Sequence, residues 1–199
     1  MDFDFSVFKF PSEIDNIIEK CNNKNLRFNV DLEYIFKNSN TIRGHFFIND
    51  KQINIFVKKS LTSEEMKETI IHELLHLDLR LKGYCDLFAY ENDLLAMNLL
   101  KQLKSLTEHF IIFPILEELG FNSSLSEKEV AESSYNRLKT ANDFGNPEEE
   151  KYHLMYCQWV VVYARIIMFC KEINIKNKVK NLFIQNKFES AKIIGDDLV

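Results

Sequence analysis

The stretch from Thr62 to Gly83 constrains this chain more than any other part of it. Thr62 stands three residues before Glu65, the spacing of a capping box, in which the two side chains satisfy N–H groups that the first helical turn leaves open. Glu64 and Glu65 put negative charge where the helix dipole favours it. Met66, Ile70, Leu74, Leu77 and Leu81 recur at helical spacing, and Gly83 after Lys82 suits the left-handed residue that closes a helix. The pattern predicts one well-bounded helix. It carries Ile70-Ile71-His72-Glu73-Leu74-Leu75-His76-Leu77-Asp78. One turn brings His72 and His76 onto one face, where both imidazoles can reach one metal ion, and Glu73 can face the same open side to accept a proton. With five histidines in 199 residues, the bare His-Glu-x-x-His pattern arises by chance in roughly one such sequence per hundred. Both histidines also fall roughly opposite the apolar stripe, with Glu65, Thr69 and Leu79, away from the place of a structural core histidine.

The surroundings read as α+β. Pro11 to Cys21 is a short amphipathic helix with Ile14, Ile17, Ile18 and Cys21 on one face. Arg27 to Phe36 alternates as a strand, and Thr41 to Lys59 reads as a hairpin turning at Asn49-Asp50-Lys51-Gln52. A second long helix is predicted from Tyr90 to Phe113; Pro114 either kinks it or opens a segment that stops at Gly120. Ser126-Glu127-Lys128-Glu129 has capping-box spacing and starts a third helix to Thr140. Residues 141–146 form a loop, Pro147 and three glutamates open the last long helix, and the tail from Asn174 holds one more helix with Val179, Leu182 and Phe183. A helix, three strands and then helices indicate a small, mostly antiparallel sheet followed by a helical half.

Composition narrows the function classes. A net charge of −5 gives no electrostatic drive toward nucleic acid, and no phosphate-cradling glycine loop is present. The acidic N-terminus lacks an export core, and the apolar run from Leu154 to Cys170 contains Gln158 and Arg165 and is short for a bilayer, so it reads as a buried helix. Cys21, Cys85, Cys157 and Cys170 form no CxxC pair. Reduced thiols and a cytoplasmic location are therefore expected, with neither membrane nor nucleic acid as partner.

A catalytic metal site needs a third protein ligand and an open position. Asp86, Glu91, Glu108 and His109 lie downstream. If Leu99, Leu103, Leu106, Phe110 and Phe113 make the inward stripe of their helix, His109 lies about 80° from its centre and Glu108 about 180°. The order of preference is His109, then Glu108, then Glu91. His45 on the hairpin and His153, with Tyr152 and Tyr156 on the last long helix, read as surface or packing residues. Asp78 and Asp86 read equally as partners of the ligand histidines or as solvated helix-end charges. Glu148, Glu149 and Glu150 read as first-turn dipole partners. A closed structural site would need a fourth ligand, for which Cys85 is the one candidate.

The motif, the hairpin before it and the short chain resemble a small zincin metallopeptidase. Size and element order are similar to compact gluzincin-like proteins. Ile70-Ile71-His72-Glu73-Leu74-Leu75-His76 after a hairpin resembles the ImmA/IrrE-like peptidases, which cleave repressors in bacteria and phage. Glu108 to Phe121 is similar to a Glu-His-x-x-x-x-Pro-x-Leu-x-x-x-Gly-Phe segment of bacterial HELLH-type proteins. The metzincin extension is missing after His76. The resemblance spans residues 27–120. It implies a single domain, 1–199, with a zincin-like catalytic core at 25–120 and a helical subdomain at 126–199. It further implies a zinc-dependent hydrolase of a protein or peptide substrate, with His72, His76 and His109 on the metal and Glu73 as general base and then general acid. Three imidazoles depart from the gluzincin ligand set and would also suit iron, manganese or nickel. The alternative is a regulatory or interaction module that holds metal without general protease activity.

Overall fold

The most apolar strand takes the middle of the sheet. The computed structural model describes residues 4–35, 42–84, 94–122, 124–140, 150–185 and 189–197. Strands β1 (Arg27–Tyr34), β2 (Gly44–Asn49) and β3 (Gln52–Lys58) lie in the order β1-β3-β2. β2 and β3 are the predicted hairpin, antiparallel, with Phe46 opposite Ile55. Its turn places Asp50 at φ 51°, a conformation that a short polar side chain tolerates better than most. β3 then runs parallel to β1, Phe28 opposite Ile53 and Val30 opposite Ile55. The sheet is therefore mixed, which corrects the mostly antiparallel expectation. The cause lies in β3. Ile53, Ile55 and Val57 are buried on one face, toward α2, and on the other Asn54 is buried between its neighbours, its Oδ1 accepting from Asn29 Nδ2 (3.0 Å). Once the hairpin has reversed the chain, a central β3 points the same way as β1. The edge strand β1 fully buries only Phe28; its expected end, Phe36, lies outside the described residues.

The chain divides into two compact units, residues 1–85 with 111–121, and residues 86–110 with 122–199. In the first, α1 (Ser12–Asn23) starts behind Pro11 and buries Ile14, Ile17 and Cys21. It packs on α2 (Ser63–Leu81), which also lies against β2 and β3. Asp78 of α2 is buried and pairs with Lys20 (3.4 Å) and Lys82 (2.6 Å). Burial, helped by the Asp78 charge, pushes the Cys21 thiol up to about 11, so it stays protonated and inert. Cys21, Cys157 and Cys170 are free thiols.

The ends of α2 are those the sequence predicts. The Thr62 hydroxyl accepts from the Glu65 N–H (3.3 Å), and the Glu65 carboxylate accepts from the Thr62 N–H (2.8 Å). At the other end Gly83 takes φ 96°, its N–H donates to Arg80 C=O, and the Tyr84 N–H donates to Leu79 C=O. The boundary between the units falls inside α3 (Leu94–Glu118), which carries Pro114 within it and continues until Gly120, at φ 85°, closes it. Its expected start at Tyr90 lies outside the described residues.

The second unit adds α4 (Ser124–Thr140), α5 (Glu150–Phe169), α6 (Ile173–Gln185) and α7 (Glu189–Asp197). α4 begins two residues before Ser126, so Ser126 is not its cap. A tertiary anchor sits in that first turn: Glu127, 1% exposed, receives two hydrogen bonds from Arg165 of α5 (2.8 and 2.5 Å), a forked charge-assisted contact. The apolar run from Leu154 becomes α5, with Trp159, Tyr163 and Ile166 in a core shared with Val179 and Phe183 of α6. Among the described residues no helix is long and apolar enough to cross a membrane. The sequence predicts one helix in the tail and the structure has two. α7 packs against α5 and α6; the Tyr163 hydroxyl of α5 donates to its Asp196 (2.8 Å), and Lys192 pairs with Asp196 within the helix (2.7 Å). Ile193 and Ile194 stay exposed, so no apolar stripe announced this helix.

Candidate metal centre

From Thr69 to Leu79, α2 is buried nearly all round. Eight of these eleven residues are buried, and the three that keep partial access are His72, Glu73 and His76. The sequence predicts a single apolar stripe with an open face opposite. Instead Thr69, Ile71, Leu75 and Leu79 are buried as well, because the sheet and α1 both pack on this helix. Access is thus confined to the motif.

The two imidazoles of α2 meet where helical spacing places them. Their Nε2 atoms are 2.9 Å apart, with ring centroids at 4.8 Å and 30° between planes. Phe113 of α3 meets the His72 ring edge-on, at 6.0 Å and 85°. His109 stands one turn before Phe113 on the same continuous helix. His109 is buried, 4% exposed, and meets Phe169 edge-on at 6.3 Å. One ring nitrogen from each of His72, His76 and His109 lies within 4.8 Å of the others. A tetrahedral ion with Zn–N bonds near 2.05 Å needs nitrogens about 3.3 Å apart, which small side-chain adjustments supply from this arrangement. The three histidines can therefore bind a metal. Among the described residues no cysteine or carboxylate joins them as a fourth ligand.

Glu73 is placed by a neighbour the motif does not contain. Gly44 opens β2, and a Cβ built there would overlap Thr69 Cγ2 and come within 3.2 Å of Glu73 Oε1 and 3.3 Å of Glu73 Cγ. The strand thus runs directly over the α2 face that carries Glu73. One turn before His72, burial raises the Glu68 carboxyl, a shift that Arg43 opposes. Arg43 also pairs with Glu65 (3.5 Å).

His72, His76 and His109 come together as the sequence predicts for the metal, and Glu73 adjoins His72 on the same helix. The α3 stripe is corrected in detail. Phe110 is 50% exposed, and Glu108, expected to point away, is 6% exposed and pairs with Lys104 (3.5 Å). The buried set is Leu106, Glu108, His109, Ile112, Phe113 and Leu116, a band rotated from the predicted one, because an ion pair one turn long lets a carboxylate take an interior place. Asp78 is engaged by two lysines. His45 and His153 are exposed. Cys85, Asp86, Glu91, Glu148 and Glu149 lie outside the described residues, as do the side chains of Glu150 and Tyr152; Tyr156 is half-buried. Gly44 escapes a motif search. The available signal was a glycine at a strand start, which often marks close backbone approach. No family model, curated protein or solved structure matches the chain.

Proposed function

We propose that this chain is a metal-dependent peptidase of zincin-like type. One observation carries the reading: one ring nitrogen from each of three imidazoles lies within 4.8 Å of the others, and a glutamate adjoins the first of them in the accessible part of the buried stretch from Thr69 to Leu79. His72, His76 and His109 would hold the ion, with zinc the first choice and other divalent transition metals compatible with the donors. When bound, the ion supplies a Lewis acid that polarises a substrate carbonyl and lowers the pKa of water. The Glu73 carboxylate takes a proton from the attacking water and returns it to the leaving amine. β2 is an edge strand of the described sheet, so its outer N–H and C=O groups offer an extended peptide a place to pair. Gly44 sets the start of that edge beside Glu73.

The test is metal content read together with hydrolysis of a quenched-fluorescence peptide library. Wild type is expected to retain about one ion per chain, and Glu73→Gln to keep the ion and lose more than about a hundredfold in rate. A protein that retains no ion, or a Glu73→Gln variant as fast as wild type, sinks the reading. An ion held firmly by a wild type inert toward every peptide would transfer support to a metal-holding regulatory or interaction module.

A further inference from the structure

We infer that Gly44 is a positioning residue, its missing side chain setting where the Glu73 carboxylate stands; the catalytic consequence rests on the peptidase reading above. Two of the three atoms nearest a Cβ added at Gly44 belong to Glu73, Oε1 at 3.2 Å and Cγ at 3.3 Å. Contacts that tight oblige the neighbour to yield by tenths of an ångström. Glu73 is the group that must yield, because Gly44 is fixed by β-pairing opposite Val57, and the Arg43 carbonyl next to it accepts from the Lys58 N–H (2.8 Å). The third atom, Thr69 Cγ2, would be overlapped outright. Thr69 is stiff: it is β-branched, buried, and its hydroxyl donates to Glu65 C=O (2.7 Å). Gly44 therefore serves two contacts. One is strand against helix, through Thr69, and the other is strand against carboxylate, through Glu73. No histidine is among the three atoms nearest the added Cβ.

The two contacts can be separated. Gly44→Ala alone forces strand and helix apart and is expected to lower stability. Thr69→Ser removes Cγ2 and keeps the hydroxyl that bonds Glu65, so in Gly44→Ala/Thr69→Ser the two Glu73 atoms are what remains of the three nearest neighbours. Against a Thr69→Ser control, the double variant is expected to melt within a few degrees of wild type and to bind zinc with unchanged stoichiometry. Its kcat should fall about ten- to a hundredfold with KM little altered, the penalty of a misplaced catalytic group. A crystal structure of the double variant should show the Glu73 carboxylate displaced while the two imidazoles of α2 keep their places. Wild-type kcat, loss of zinc along with activity, or an unmoved Glu73 would each overturn the inference. If wild type cleaves no peptide, the peptidase reading falls, and the position of Glu73 in the crystal still decides whether Gly44 sets it.

Discussion

Two helices supply the three imidazoles, and they do so in different ways. α2 carries its pair one turn apart in a single motif, between a capping box and a left-handed glycine. α3 contributes one histidine with no motif around it. Its orientation follows from which side chains the helix buries, Phe113 against His72 above all. On α2 local spacing alone brings two ligands together. On α3 the ligand is correct only if the tertiary packing is correct. A site built this way is half prescribed by sequence and half by fold, and each half can be removed separately.

The largest effect expected in this comparison is on metal affinity. His76→Ala breaks the local pair and His109→Ala breaks the tertiary one. Each should weaken zinc binding by more than about a hundredfold, beyond what loss of an outer-shell partner costs, as read by competition with a chromophoric chelator. Equal losses would show that α3 is a full member of the site. If His109→Ala binds zinc as wild type does, His109 is demoted to a wall of the site, and the carboxylates Glu108, Glu91 and Asp86 return as the candidates from the sequence.

The same contrast explains what could be read in advance. Both ends of α2, its motif, the hairpin and the α1 face are short-range patterns, and the structure shows each of them. What escaped reading depends on partners distant in sequence. β3 takes the centre, paired to β1 and β2, with its apolar residues against α2. Glu108 is buried and Phe110 exposed, the carboxylate paired with the half-buried Lys104 one turn away. α7 packs on α5 and α6, and the Tyr163 hydroxyl of α5 reaches its Asp196. Gly44 matters for what sits above it and not for its neighbours in the chain. His109 ranked first from helical angle although the predicted stripe was misplaced, since its own side of the helix was assigned with less error than those of Phe110 and Glu108.

The two helices should differ in how they place ligands and agree in how they end. Gly83 and Gly120 have φ 96° and 85°, and an added Cβ would meet nothing within 4 Å at either. Alanine at each therefore tests the backbone alone. Left-handed geometry costs an L-residue about 1–2 kcal/mol, so each variant should melt several degrees lower, at about 2–4 °C per kcal/mol for a chain of this size. Similar shifts in calorimetry, with zinc affinity kept, would confine the difference between the helices to their middles. A Gly83→Ala variant that loses zinc would show that the end of α2 also holds the His72–His76 pair in register.

The smallest effect concerns the start of α2. The Thr62 N–H, then the Thr62 hydroxyl, hydrogen-bond the Glu65 carboxylate, and Arg43 adds a weaker pull, so its pKa lies below the ordinary glutamate value. A depressed folded pKa means stabilisation that is complete above the unfolded value, about 4.3, and that is lost as pH falls through the folded one. Glu65 is partly open to solvent, its side chain 28% exposed, so screening keeps the effect small. Glu65→Gln isolates it, because glutamine still completes a capping box and does not titrate there. In metal-free protein, where acid cannot act by releasing an ion and the histidines are common to both proteins, wild type should lose more stability than Glu65→Gln between about pH 5 and 3. Urea unfolding across that range measures the difference. Parallel curves would mean that the Glu65 carboxylate contributes no pH-dependent stability, and that α2 owes its start to Thr62 and to burial alone.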